Sequence, residues 1–182
     1  MKVEATDLPG VVVVESPVYG DSRGYFTEVF HAERFAEMGL PVQFPQDNHS
    51  RSARHVLRGL HFQLHNPQGK LVRPVTGTVF DVAVDIRRSS PTFAKWTGVT
   101  LVAGDGRQLW IPPVFAHGFL VLSESADVTY KCTTVYDAKS NCSLRWDDPA
   151  IGIAWPIEKN VAPILSAADA AAPLLSAARV FV

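Results

Sequence analysis

The run Leu57-Arg58-Gly59-Leu60-His61-Phe62-Gln63 sets an arginine, a histidine and a glutamine into an otherwise apolar stretch. An unmatched polar group in a buried strand costs on the order of 1–3 kcal/mol, so three within seven residues read as the wall of a binding cavity. His61 is the most versatile of them, because imidazole titrates near neutral pH and can give or accept a proton. With a strand period, Gly59, His61, Gln63 and His65 share one face while Arg58, Leu60 and Phe62 share the other. Arg58 and His61 then serve one ligand only if Gly59 marks a bulge or a partner chain supplies the second wall. His61-x-Gln63-x-His65 also has the form of half a metal site, but zinc, iron or copper needs a further His, Cys or carboxylate. His117 is the one candidate with similar surroundings, and the expectation is no metal.

The commoner catalytic signatures are absent. There is no Walker-type phosphate loop, no Gly-x-Gly-x-x-Gly after a strand and no Gly-x-Ser-x-Gly elbow. Gly104-Asp105-Gly106 reads as a hairpin turn, and Cys132 and Cys142 are too few and too far apart for a Cys-x-x-Cys site. His61, Lys70, His117, Tyr130 and scattered arginines remain, a set suited to proton transfer on an anionic substrate. With 17 Lys+Arg against 18 Asp+Glu, the net charge of −1 supplies no global field to attract nucleic acid or an acidic membrane. Local cations must hold any anion. Several of these residues also have a plain alternative: Lys70 exposed at a strand start, Tyr130 in the core and Arg23 a loop cation beside two glycines; Ser166-x-x-Asp169, further along, has the look of a helix N-cap.

The elements that must position these groups are mostly strands. Val11 to Val14 is β-branched throughout and reads as the first. Tyr19 to Phe26 is turn-like in its Gly/Asp/Ser content, His31 to Met38 is helical with Gly39 as its stop, and Gln46 to Ser50 suits either a loop or a ligand-facing edge. Strands follow at Val56 onward, Lys70 to Val75, Thr78 to Ile86, Trp96 to Leu101, Gln108 to Ile111, Gly118 to Leu122, Asp127 to Val135 and Ser143 to Trp146. That spacing predicts an all-β sandwich or barrel with short peripheral helices. In Thr78 to Ile86, Asp81 and Asp85 alternate with Phe80, Val82 and Val84, so the aspartates lie either in water or in the cup of a jelly roll. At 182 residues, 47% hydrophobic and 19% charged, with no linker, the chain is expected to form a single domain, 1–182. The start lacks a signal pattern and no run approaches the ~18 apolar residues of a membrane span, so the expected location is cytoplasmic.

Several motifs together resemble the dTDP-4-dehydrorhamnose 3,5-epimerase family. They are Asp21 through Glu28, Gln46-Asp47-Asn48-His49-Ser50, Leu57 through Gln63, Gln68-Gly69-Lys70-Leu71-Val72, Asp81 through Arg87, Ser90-Pro91-Thr92-Phe93, Phe115-Ala116-His117-Gly118-Phe119, Tyr130-Lys131 and Trp146-Asp147-Asp148-Pro149, in the family's order. The resemblance implies a cupin-like jelly roll, a homodimer with N-terminal arm exchange, and no metal or organic cofactor. It implies inversion at C3 and C5 of a dTDP-linked 4-keto-6-deoxy sugar, on the route to dTDP-L-rhamnose.

Carried over residue by residue, the resemblance makes His61 the base and Asp169 its partner. Lys70 becomes the cation near the enolate oxygen and Tyr130 the acid on the opposite face. Arg58 and His117 would lie beside sugar and phosphates, and Gln46, Asn48 and Gln63 around sugar and nucleotide. Arg23, Phe26 and Glu28 would reach the neighbouring subunit's site. Three departures stand out: Val114 replaces a usual glycine, which at positive φ would force a different turn before His117; Ala168 replaces a frequent lysine; and the Ala-rich tail, Ala167 to Val182, matches little and is expected to form a short helix and a packed end. An epimerase acting only at C3 or only at C5 shares the base. A metal-dependent cupin or a sugar-nucleotide binding protein is the alternative of another class, although mere binding has no need of Tyr130 and Asp169.

Overall fold

The computed structural model describes all 182 residues. In chain order the elements are β1 Lys2–Ala5, β2 Val12–Glu15, β3 Val18–Asp21, β4 Gly24–Thr27, α1 Ala32–Glu37, β5 Gln46–Ala53, β6 Leu57–Gln63 and β7 Lys70–Thr76. There follow β8 Thr78–Asp85, β9 Trp96–Val102, β10 Arg107–Ile111, β11 Phe115–Val121, β12 Ser125–Cys132, β13 Asn141–Ser143 and α2 Ala167–Ala170. One sheet runs β1-β2-β10-β7-β12-β5, a second runs β13-β6-β11-β8-β9, and β3-β4 is a separate hairpin. All of these pairings are antiparallel. This is the expected all-β, cupin-like jelly roll with short peripheral helices.

Three apolar layers hold it together. Between the sheets, Val13, Val72, Val79, Leu101, Leu109, Phe119 and Val128 form the main core. Outside the five-stranded sheet, Leu60, Phe62, Val82, Val84 and Ile86 pack under the C-terminal segment through Ile151, Leu175 and Val180. Outside the six-stranded sheet, Phe35 of α1 packs with Val14, Leu71 and Trp110. The alternation of β8 therefore divides between two dry layers, Phe80, Val82 and Val84 facing outward and Val79 and Ala83 inward. Asp81 and Asp85 are wholly buried, not half-solvated; Asp85 accepts from Arg87, Ser90 and Thr92.

The C-terminal segment is a strap rather than an element of either sheet. Ile164 bridges Val56 in parallel, the Leu57 N–H donates to the Ile164 carbonyl, and Arg54 pairs with Glu158. Further along, Leu175 N–H donates to Asp148 and Arg88 N–H to the Phe181 carbonyl.

Three local expectations are corrected. Lys2–Ala5 forms a strand before the valine run, pairing antiparallel with it; only its partner has the β-branched signature. Gly104-Asp105-Gly106 joins β9 to β10, which lie in different sheets, so the turn is a corner between sheets and not a hairpin. Val114 does not force a different turn: it takes up φ +71 itself, in the left-handed region.

Candidate active site

β6 is bent at the point its composition singled out. His117 of β11 pairs with His61 while Phe119 pairs with Arg58, so between these pairs the single residue Gly118 opposes two, Gly59 and Leu60. The extra residue is a bulge, and Gly59 meets its demands with φ +120. A Cβ there would lie 2.6 Å from Gly118 Cα and 2.7 Å from the His117 carbonyl oxygen, which only glycine avoids. The bulge turns Arg58 to the same side as His61. Both line a cavity of about 180 Å³ with Ser50, Lys70, His117, Phe119 and Tyr130.

Two histidine–carboxylate pairs share this cup on adjacent strands. His61 Nε2 lies 2.6 Å from Asp169 Oδ1, with 38% of the His61 side chain and 4% of the Asp169 side chain exposed. Donation of Nε2–H to the carboxylate fixes the tautomer and leaves Nδ1 as the basic nitrogen. Asp169 reaches the pair on the strap, where Ser166 caps α2 by accepting the Asp169 backbone N–H at 3.0 Å. The cap and the dyad are thus one arrangement. His117 Nε2 lies 3.0 and 3.1 Å from the two oxygens of Asp81, both residues being buried; despite Val114, His117 is firmly anchored.

The facing sheet supplies the remaining groups. Lys70 is buried, contrary to the exposed alternative, and its ammonium makes no hydrogen bond within the chain while lying 6.0 Å from the centroid of the Tyr130 ring. Burial lowers the Lys70 pKa, opposed by Cys132 once its thiol ionises at alkaline pH and by the Asp81 carboxylate. Burial raises that of Tyr130, so its phenol keeps its proton. Burial likewise lowers His61; Asp169 opposes this, and Lys70 and His117 add to it. His61 is therefore biased toward its neutral form, on the wall opposite a protonated phenol.

The other candidate residues are distributed around this centre. At the mouth, Arg58 is held by Nε–H donation to Ser52 Oγ at 2.9 Å. Gln46 and Asn48 lie on the edge strand β5, hydrogen-bonded to each other at 3.1 Å; of the loop and edge alternatives, the edge is the one formed. Gln63 lies outside the cup lining, with Nε2 donating to the Asn66 carbonyl and Oε1 accepting the Asp137 N–H. His65 is exposed beyond the strand end. Arg23, Phe26 and Glu28 belong to the β3–β4 arm and its continuation, where Arg23 binds Asp21 and Glu28 binds Arg34; none lines the cup of its own chain. Ser50, Asp81 and Phe119 were missed as site residues. Ser50 Oγ is buried without a partner, a property of tertiary placement that no local pattern carries. A larger hollow of about 390 Å³ lies on the outer face of the six-stranded sheet, but there Lys131 pairs with Asp47 and His49 with Asp127.

The geometry has close counterparts. The family model for dTDP-4-dehydrorhamnose 3,5-epimerase matches residues 5–177. A dTDP-4-dehydrorhamnose 3,5-epimerase from Salmonella typhimurium is 55% identical over 180 residues, covering 98% of this chain and 97% of its own. A dTDP-6-deoxy-D-glucose-3,5-epimerase from Legionella pneumophila, solved with dTDP-4-keto-L-rhamnose, superposes with a TM-score of 0.93 at 48% identity, covering 98% of this chain and 94% of its own. A 3'-monoepimerase from Streptomyces bikiniensis, solved with dTDP-quinovose, gives a TM-score of 0.87 at 33% identity, covering 94% and 86%.

Proposed function

The chain belongs to the dTDP-4-dehydrorhamnose 3,5-epimerase family, and from that premise we propose that its cup inverts C3 and C5 of dTDP-4-keto-6-deoxy-D-glucose to give dTDP-4-keto-L-rhamnose. The observation that carries this reading is the placement of His61 and Tyr130 on facing sheets with the unpaired Lys70 ammonium beside the phenol. A proton α to a ketone is acidic once the enolate oxygen is stabilised. His61 Nδ1 removes that proton, Lys70 stabilises the charge developing on the C4 oxygen, and Tyr130 delivers a proton to the opposite ring face. Asp169 stabilises the imidazolium formed in the first half of the step. The same groups act at C3 and C5, because both carbons flank the one ketone. The 55% identity to a 3,5-epimerase against 33% to a monoepimerase favours inversion at both centres.

The rest of the ligand extends from the cup toward Arg58 at its mouth, with His117 beside sugar and phosphates and Gln46 and Asn48 near the nucleotide. Gln63 acts on this region indirectly, by fixing the backbone at Asn66 and Asp137. The arm carries Tyr19, Tyr25 and Phe26 at 65, 59 and 67% exposure, a cluster of aromatic surface that a partner would cover. In our reading the protein is a homodimer, and each arm brings Arg23, Phe26 and Glu28 to the other subunit's cup. Arg23 and Arg58 then flank one diphosphate, for which paired guanidinium groups are well suited. Residues 1–182 act as one catalytic domain, needing no metal or organic cofactor. No helix is long and apolar enough to cross a membrane, and we place the enzyme in the cytoplasm.

The test is proton exchange. In D2O the wild type incorporates deuterium at C3 and C5. His61→Ala lowers exchange by about 10³-fold or more while dTDP binding is retained. Full exchange by His61→Ala would refute its assignment as base, and label at one carbon only would identify a monoepimerase.

A further inference from the structure

Asp81 is wholly buried on the inner face of β8, yet the proton-transfer scheme gives it no part. Both of its oxygens face a single nitrogen, His117 Nε2, at 3.0 and 3.1 Å. One shared imidazole N–H does not neutralise a buried carboxylate, and a charge in so dry a place requires an opposite one. The buried, unbonded cation available is Lys70, on the facing sheet. No direct salt bridge joins Lys70 to Asp81, so the ammonium is left free for a substrate oxygen.

We propose that Asp81 is a positioning residue for this epimerase: it holds His117 by Nε2 so that Nδ1 is free for the ligand, and it is the buried counter-charge of the Lys70 ammonium. The inference rests on the epimerase reading of the cup. The other groups around Lys70 leave this role to Asp81. Tyr130 and Cys132 lie beside it on β12, and burial raises both of their pKa values, so each is neutral at neutral pH. His61 and His117 on the facing sheet, and Arg58 at the mouth, carry no negative charge. Asp169 is engaged by His61. Burial draws the Lys70 pKa down, and the Asp81 charge resists that shift.

The experiment measures kcat, KM and the pH profile of deuterium exchange into dTDP-4-keto-6-deoxyglucose with the full-length protein. Asp81→Asn lowers kcat by about 10- to 100-fold, changes KM less than about threefold, and brings the alkaline limb down by about one pH unit. Lys70→Arg removes that limb, because guanidinium stays charged throughout. His117→Gln keeps the Asp81 carboxylate and lowers kcat with the alkaline limb in place, which tests the idea even where Asp81→Asn does not fold. The proposal is overturned by an Asp81→Asn enzyme with its alkaline limb unmoved, by persistence of the limb in Lys70→Arg, or by an equal shift in His117→Gln. Absence of exchange in the wild type would instead overturn the epimerase reading.

Discussion

In the proposed reaction, His61 can act as a base only while neutral, and Lys70 can stabilise an enolate only while charged. For His61, burial outweighs the opposing influence of Asp169, and its pKa falls below the ordinary 6.5. Exchange therefore rises with pH through a limb below 6.5, as the last imidazolium is lost. For Lys70, burial lowers the ordinary 10.5, so exchange falls again through a limb below that value as the ammonium is lost. Tyr130, raised above 10.0, keeps its proton across the plateau between the limbs. A kcat/KM profile from pH 5 to 10 checks both signs, and an acid limb above 7 contradicts the assignment of His61. The stability linkage runs the same way for the imidazole: its lowered pKa means that protonation on acidification favours the unfolded chain. His61, Lys70 and Tyr130 were legible in the sequence as residues able to do this chemistry. Asp81 was not, because an alternating strand has one pattern whether its polar face meets water or a second sheet.

Single positions in one strand and two turns carry unusual backbone geometry. Gly59 is the most demanding: it combines φ +120 with backbone contacts that leave no room for a methyl group. Gly59→Ala is expected to destabilise the fold by about 2 kcal/mol or more and to reduce exchange, since Arg58 and His61 would no longer share a side. Urea denaturation followed by an exchange assay on the folded fraction separates the two effects. The bulge could be foreseen as one of two ways to reconcile Arg58 with His61, because a regular strand cannot present both to one ligand. The corner at Gly104 could not be told from a hairpin, since both need the same glycine turn and differ only in which strands pair afterward. Val114 gives the opposite lesson: a residue poorly suited to positive φ was expected to change the turn, yet Val114 itself adopts φ +71. Packing of Val114 against the inter-sheet core accompanies that strained backbone.

At the scale of the whole molecule, the cup and the arm are separated within one chain, and catalysis as proposed requires two chains. Mixing His61→Ala protein with an Arg23→Ala/Phe26→Ala variant is a direct check. If arms cross, a mixed dimer contains one intact site, and an equal mixture after subunit exchange regains about a quarter of wild-type exchange. If each arm serves its own cup, no activity returns. The all-β class and most strands of the two sheets were legible from apolar periodicity, whereas β1, β3 and β4, the destination of the arm and the route of the strap were not. The strap has an energetic consequence of its own. It carries Asp169, and it is held beside β6 by the short bridge at Val56 and Ile164, a solvent-facing ion pair between Arg54 and Glu158, the His61–Asp169 hydrogen bond and the packing of Leu175 and Val180 on Leu60 and Phe62, whereas the sheets are held by long ladders. Such a segment is a separate cooperative unit with its own opening free energy, lower than that of global unfolding. In a urea titration, exchange activity is therefore expected to fade at lower denaturant than the β-sheet circular dichroism signal, with amide hydrogen exchange fastest around Ile164 to Asp169. Coincident transitions would show instead that strap and sheets open together.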